Sequence, residues 1–230
     1  MSSVAVQLQV QGRRCLVVGG GEVGARRAAA LQTAGARTTV VAPIITPALT
    51  TLAEDGALRV QLREFLVTDL DPEGVDRVLL VVTATDDAAV NEEVARIAGA
   101  HGVLVNRADD ATRGDLTFPP KVQRGSVTIA VSSGVPTASR WIVERLGDRL
   151  DEVLGLDADG LDRLVEVLSE VRRELRRSGA PSGGSPGSGE RGVTVGPADW
   201  RSALDGSILE LVHQGRTAEA KERLLACLSS

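Results

Sequence analysis

Aromatic residues are nearly missing from this chain: 230 residues hold no Tyr, two Phe and two Trp. A core must therefore be packed from Val, Leu, Ile and Ala, and the 43% hydrophobic content is enough for one. Cysteine is as scarce. Cys15 and Cys227 stand at opposite ends and form neither a zinc pattern nor a C-x-x-C motif. Cys15 falls in a predicted first strand, where a buried and inert thiol is expected. The two histidines, His101 and His213, are isolated, and no His/Cys/Asp cluster has metal-site spacing, so no bound metal is expected. Positive charge is not in excess: a net charge of −5 argues against a general nucleic-acid binder. No apolar run reaches the length of a membrane span. The first residues carry no basic region followed by an apolar block. No signal peptide is therefore expected, and the cytoplasm is the expected compartment.

Glycine, by contrast, is concentrated where it matters. In Arg14-Cys15-Leu16-Val17-Val18-Gly19-Gly20-Gly21-Glu22-Val23-Gly24 a short apolar run ends in a glycine triplet, and a helix-forming stretch follows. Gly19, Gly21 and Gly24 fit G-x-G-x-x-G in the strand–turn–helix context that gives the pattern meaning. The first glycine permits the tight turn, the second lets a dinucleotide pyrophosphate approach the backbone, and the third lets helix and strand pack closely. The free N–H groups and positive dipole end of the helix then face the phosphates. Taken alone, the residues leave open a glycine-rich turn in another α/β domain.

Strands are predicted at Arg14–Val18, Arg37–Ala42, Leu58–Leu62, Arg77–Thr83 and Val103–Asn106, and helices at Glu22–Thr33, Thr46–Glu54 and Ala88–Ala100. This alternation predicts an α/β fold that begins with a Rossmann-like parallel sheet, its ligand at the carboxyl ends of the strands. Near Asp109 the pattern changes to a hairpin, with arms Leu116–Gln123 and Ser126–Ser132 around Arg124-Gly125. Val127, Ile129 and Val131 face one side of it. A helix from about Thr137 carries the stripe Ile142, Leu146, Leu150, Val153. A second stripe runs through Leu161, Leu164, Leu168, Val171 and Leu175; both read as core or dimer interface. Residues 178–192 have the composition of a flexible Gly/Ser linker. Trp200, Leu204, Ile208, Leu211 and Val212 mark one helix or two short ones, and Ala218–Cys227 a last helix that docks on the helical part.

Three loops could carry chemistry. The second strand ends Val41-Ala42-Pro43-Ile44, without the acid that usually bonds a ribose hydroxyl, so NAD and NADP are not distinguished. After the fourth strand, Thr85 and Asp86 lie at the ligand end among small residues that let a cofactor come close; alternatively Asp86 or Asp87 only caps the next helix. The fifth strand ends Asn106-Arg107-Ala108-Asp109-Asp110 at the same edge. A carboxylate there can act as a general base if its surroundings adjust its pKa, and a solvated loop aspartate is the alternative. Ser132 and Ser133 follow a strand without the glycine pattern of a nucleophile elbow.

The stretches Val17–Val23, Ala84–Asp87, Val105–Asp110, Phe118-Pro119 and Ile129–Gly134 occur in one order. Together they resemble the precorrin-2 dehydrogenase/sirohydrochlorin ferrochelatase family, the N-terminal module of siroheme synthases, most densely over residues 7–150. The resemblance implies NAD-dependent oxidation of precorrin-2 to sirohydrochlorin, with Fe²⁺ insertion in some members. It implies a homodimer: a Rossmann-like parallel sheet, then a β-hairpin/helix dimerisation region, then a C-terminal helical region. The boundaries expected are 1–112 for the NAD-binding domain, 113–148 for the dimerisation region, 149–177 for the helical region, 178–196 for the linker and 197–230 for the tail. Asp109 matches the family's proton acceptor. The cofactor contacts fall on Gly19, Gly21, Glu22, Val23 and Gly24, and on Pro43 and Ile44, with Thr85 and Asp86 beside them. Asn106, Ser132, Ser133 and Gly134 border the tetrapyrrole pocket. Because the substrate carries many carboxylates, Arg107 and Arg113, with Lys121, Arg124 and Arg140, are candidate cations for it. The loop Ser132-Ser133-Gly134-Val135-Pro136 is two residues shorter than the family pattern. Two other functions fit parts of the sequence: a non-catalytic dinucleotide-sensing module, and a dehydrogenase of another small substrate.

Overall fold

A computed structural model describes residues 3–70, 76–178 and 197–228. The chain divides into two compact units, Met1–Phe118 and Pro119–Ser230. Apart from Ser178, the expected linker at 178–196 lies outside the described residues.

In the first unit, strands β1 (Arg14–Val18), β2 (Arg37–Val41), β3 (Arg59–Gln61), β4 (Val78–Thr83) and β5 (Leu104–Arg107) alternate with helices α1 (Glu22–Thr33), α2 (Pro47–Glu54) and α3 (Ala88–Ala100). All pair in parallel, in the order β3-β2-β1-β4-β5. The central strands are runs of Val and Leu because both faces are covered. On one face Cys15, Val17, Val40, Leu80 and Val82 pack with Ala25, Ala28 and Leu31 of α1 and Leu49 of α2. On the other, Leu16, Val18, Val41, Val81 and Val105 pack with Val94 and Ala98 of α3. Burial pushes the Cys15 thiol up to about 11, which removes it as a nucleophile. Chain order reverses between β1 and β4, so their carboxyl ends flank the crevice in which such sheets bind ligands.

The second unit opens with the antiparallel hairpin β6 (Lys121–Arg124) and β7 (Val127–Ala130). Its arms are shorter than expected and its turn falls at Gly125-Ser126, one residue later. Pro119 and Pro120 have no N–H for a ladder, so the first arm starts after them. Gly125, at φ 53°, supplies the turn. Leu116 packs instead against the core of the first unit.

Helix α4 (Pro136–Leu154) lies on β6, where Gly147 lets Val122 into contact and its carbonyl accepts a 2.7 Å bond from Arg124. The buried face of α4 is Ser139, Val143 and Leu150. Of the stripe expected as core or interface, Leu150 is buried, with Val143 beside it, while Leu146 is 38% and Val153 72% exposed. Helix α5 (Ala158–Ser178) buries Leu161, Val167 and Val171 in one cluster with α7 (Gly206–His213) and α8 (Thr217–Leu228), through Ile208, Val212, Ala220 and Leu224. The tail docks on α5 as expected, and α6 (Pro197–Ala203) with α7 forms the pair of short helices.

Candidate functional site

The turn from β1 into α1 is shaped by atoms that glycine lacks. Gly19 sits at φ 126°, a conformation L side chains rarely adopt, and a Cβ there would overlap the Ala84 carbonyl. A Cβ on Gly20 would overlap the Ile44 carbonyl, and one on Gly24 the Gly19 carbonyl. The loops after β1, β2 and β4 are thereby drawn together; Thr46 N–H donates to the Gly20 carbonyl at 2.9 Å and Ala84 N–H to Val18 at 2.8 Å. Gly21 differs: nothing stands within 4 Å of a Cβ placed on it. It is the N-cap of α1, without a side-chain cap bond, and α1 gains its first backbone bond only at Ala25 N–H. Open space above a glycine, at a helix start whose N–H groups no side chain takes up, fits a dinucleotide pyrophosphate. Glu22, Val23, Pro43 and Ile44 are exposed around this turn, with Ile44 at 83%.

The loop after β4 is tied down by a residue the sequence reading missed. Asn91, on α3 and 1% exposed, accepts from Thr85 N–H (3.1 Å) and Thr85 Oγ1 (2.8 Å), and donates to the Thr85 carbonyl (3.0 Å). Its signal was a polar residue in register with Val94 and Ala98 on the inward face of α3. The Thr85 side chain is therefore engaged within the fold. Of the two aspartates, Asp87 is the cap, accepting from Ala89 N–H (2.8 Å) and Val90 N–H (3.3 Å); Asp86 stays exposed.

At the end of β5 two expected substrate contacts are buried and engaged within the fold. Arg107 is 4% exposed. Its guanidinium grips Asp109 with Nε and one terminal nitrogen (3.2 and 2.7 Å), and the other terminal nitrogen pairs with Glu92. It is not free to meet a substrate. Asn106 is 2% exposed and donates to the Leu116 carbonyl at 2.8 Å, so it fastens the segment leaving β5. Asp109 keeps 27% of its side chain exposed. The Arg107 guanidinium, and to a lesser degree the Asn91 amide, hold its carboxyl below the usual aspartate range. Asp110 accepts from Thr112 N–H (2.9 Å) and Thr112 Oγ1 (2.6 Å), capping the short turn Ala111–Arg113.

The remaining candidate cations are surface groups with carboxylate neighbours: Arg113 with Glu92 (2.7 Å), Arg124 with Asp151 (3.1 Å) and Arg140 with Glu144 (3.6 Å). Such pairs contribute little, so they exchange readily for a ligand carboxylate. Lys121 is exposed. In the second unit Ser132, Ser133 and Gly134 are exposed. Ser133 Oγ lies 2.8 Å from Oγ of the buried Ser139, which also accepts from Ser133 N–H at 3.0 Å. Among the described residues no three His, Cys, Asp or Glu side chains gather as a metal site.

Known proteins place this arrangement. The siroheme synthase of Nitrosococcus oceani is 33% identical over 230 residues, which take in 99% of this chain and 44% of that protein. That of Pseudomonas aeruginosa (strain LESB58) is 37% identical over 218 residues, 94% of this chain and 42% of the relative. The chain thus spans less than half the length of these curated relatives. Among solved structures, SirC, a precorrin-2 dehydrogenase, is 27% identical, with a TM-score of 0.64 over 96% of this chain and 100% of its own. A family described as "Putative NAD(P)-binding" matches residues 6–120, half of the chain and all of the sheet described above. The chain belongs to this NAD(P)-binding family.

Proposed function

We propose that this chain oxidises precorrin-2 to sirohydrochlorin with NAD⁺, a step of siroheme biosynthesis. The observation that supports this most is the reach of the likeness to SirC, which runs past the dinucleotide-binding half and through the second unit. A sensing module or an unrelated dehydrogenase would share only the first.

The oxidation takes a hydride and a proton from the macrocycle, and NAD⁺, when bound, accepts the hydride. Backbone N–H groups of Glu22, Val23 and Gly24, with the open face of Gly21, hold the pyrophosphate. Pro43, Ile44, Thr85 and Asp86 are the residues that would border the bound cofactor. Hydride loss leaves positive charge on the macrocycle, and the proton follows. Asp109 stays ionised beside Arg107, so it opposes that charge and accepts the proton on its way to water. Arg113 is the cation of the first unit that receives a substrate carboxylate. Insertion of Fe²⁺, as a second substrate, displaces pyrrole protons, and Asp109 is their acceptor too. We also read the working form as a homodimer.

The test is to incubate the protein with precorrin-2 and NAD⁺ and record the absorption spectrum. Sirohydrochlorin should form, and Asp109→Asn should slow it about 10²–10⁴-fold, the scale of a lost general base. Asp110→Asn, which keeps the turn cap, should cost much less. NAD⁺ binding without turnover would favour the sensing module. Near-normal turnover by Asp109→Asn would make that aspartate a loop residue.

A further inference from the structure

The side chain of Arg107 leaves β5 toward α3 with 3% of its surface exposed, and each nitrogen of its fork has a carboxylate partner. A buried guanidinium is costly to desolvate, and an apolar residue at the same place often leaves a fold equally stable. What the fork does supply is geometry. Two parallel bonds fix both carboxylate oxygens of Asp109, so that group cannot turn about its own axis. Glu92 anchors the other end from the first turns of α3, and its second oxygen takes Arg113 at 2.7 Å. We propose that Arg107 is a positioning residue for the oxidation: anchored on Glu92, its fork holds the Asp109 carboxylate in one orientation. The inference rests on the reading of Asp109 as proton acceptor.

The charged and polar groups that face Asp109 are few enough to read a pH effect. Arg107 comes from β5 and Asn91 from α3. Glu92 and Arg113 lie one pair further away, and Asp110 is next in the chain, committed to Thr112. Arg107 and Asn91 both favour the ionised form. Loosening Arg107 should therefore raise the pH at which Asp109 gains its proton.

Arg107→Lys is the variant of choice, because it keeps a cation for Glu92 but cannot form the fork. Its first readout needs no substrate: a carboxyl NMR titration of the full chain labelled at aspartate, in which the Asp109 midpoint should rise. Its second is turnover of precorrin-2 across pH. The kcat should fall about 10-fold and its acidic limb move to higher pH, with KM and the NAD⁺ Kd within about two-fold. Combined with Asp109→Asn, the lysine variant should cost nothing further, since a residue that acts through another adds nothing once the other is gone. An unmoved Asp109 midpoint, an unchanged kcat, or additive losses would each overturn the inference. Near-normal turnover by Asp109→Asn alone would overturn the reading of Asp109 itself. Should Arg107→Lys not fold, Glu92→Gln asks the same question from the exposed end: kcat should fall a few-fold with NAD⁺ affinity kept, and an unchanged kcat would overturn the anchor.

Discussion

Gly21 and Gly24 stand three residues apart in one turn, and they should fail in different ways when changed. A side chain at Gly21 meets nothing within 4 Å, so Gly21→Asp should fold normally and place a carboxylate where the pyrophosphate must lie. NAD⁺ binding should vanish in calorimetry while the melting temperature holds; a folded variant with unchanged affinity would remove the site from this turn. Gly24→Ala should instead force the helix off the strand, since its Cβ would overlap the Gly19 carbonyl. The cost should be about 1–3 kcal/mol, seen as a lower melting temperature. Asp109 offers a third test, by pH. Its folded pKa is lowered, mainly by Arg107. A carboxylate lowered in this way contributes stability above its unfolded pKa, and the contribution is lost as pH falls through the folded value. Wild type should therefore be more stable than Asp109→Asn at neutral pH, and the gap should shrink below about pH 4. Urea midpoints that differ equally at neutral and acid pH would show that the ion pair does not titrate with folding.

Helix α3 links the scaffold to the proposed chemistry, because it carries the cap Asp87, the clamp Asn91 and the anchor Glu92 within its first turns. Asp87→Ala should cost about 1 kcal/mol, as the loss of an N-cap usually does, and lower the melting temperature. Unchanged stability would mean that tertiary contacts alone fix the helix start. Elements such as α1 and α3 were fully legible in the sequence, to the residue, because glycine or a capping acid punctuates their starts and their apolar positions recur with helical period. The hairpin was legible only as a hairpin: its first arm is shorter because two prolines have no N–H to donate, and its turn is one residue later because Gly125 takes the positive φ. On α4 the stripe read from the sequence shares Leu150 with the buried face, and Val143 escaped it because two neighbouring stripes are both apolar. The shape of the turn was legible where backbone defines it, at Gly19, Gly21 and Gly24. The site was not legible where side chains pair across the fold. Arg107 looked like a free cation because Glu92 lies fifteen residues away on another element, and Asn91 went unread because one polar residue hardly disturbs a helical period.

For the molecule as a whole, the apolar surface that α4 leaves uncovered bears on assembly. Its inward stripe, Ser139, Val143 and Leu150, is buried. The stripe beside it is not: Leu146 is 38% and Val153 72% exposed, with the half-buried Ile142 in line with them, while Trp141, 59% exposed, stands on the side of the helix opposite the buried face. In a chain with only four aromatic residues, a tryptophan left facing outward is a poor use of the strongest apolar group available. Exposed apolar stripes mark interfaces, and one helix meeting its own copy about a two-fold axis would bury the Ile142, Leu146 and Val153 stripe on both chains at once. The homodimer we propose should therefore form through α4 and its neighbouring hairpin. Light scattering at micromolar concentration should give about twice the mass of one chain. Leu146→Glu with Val153→Glu changes only exposed positions of the single chain and should lower that mass to one chain while the far-ultraviolet circular dichroism keeps its helical signal. A wild type of single-chain mass would rule out the dimer, and a double variant still of doubled mass would place the interface away from α4.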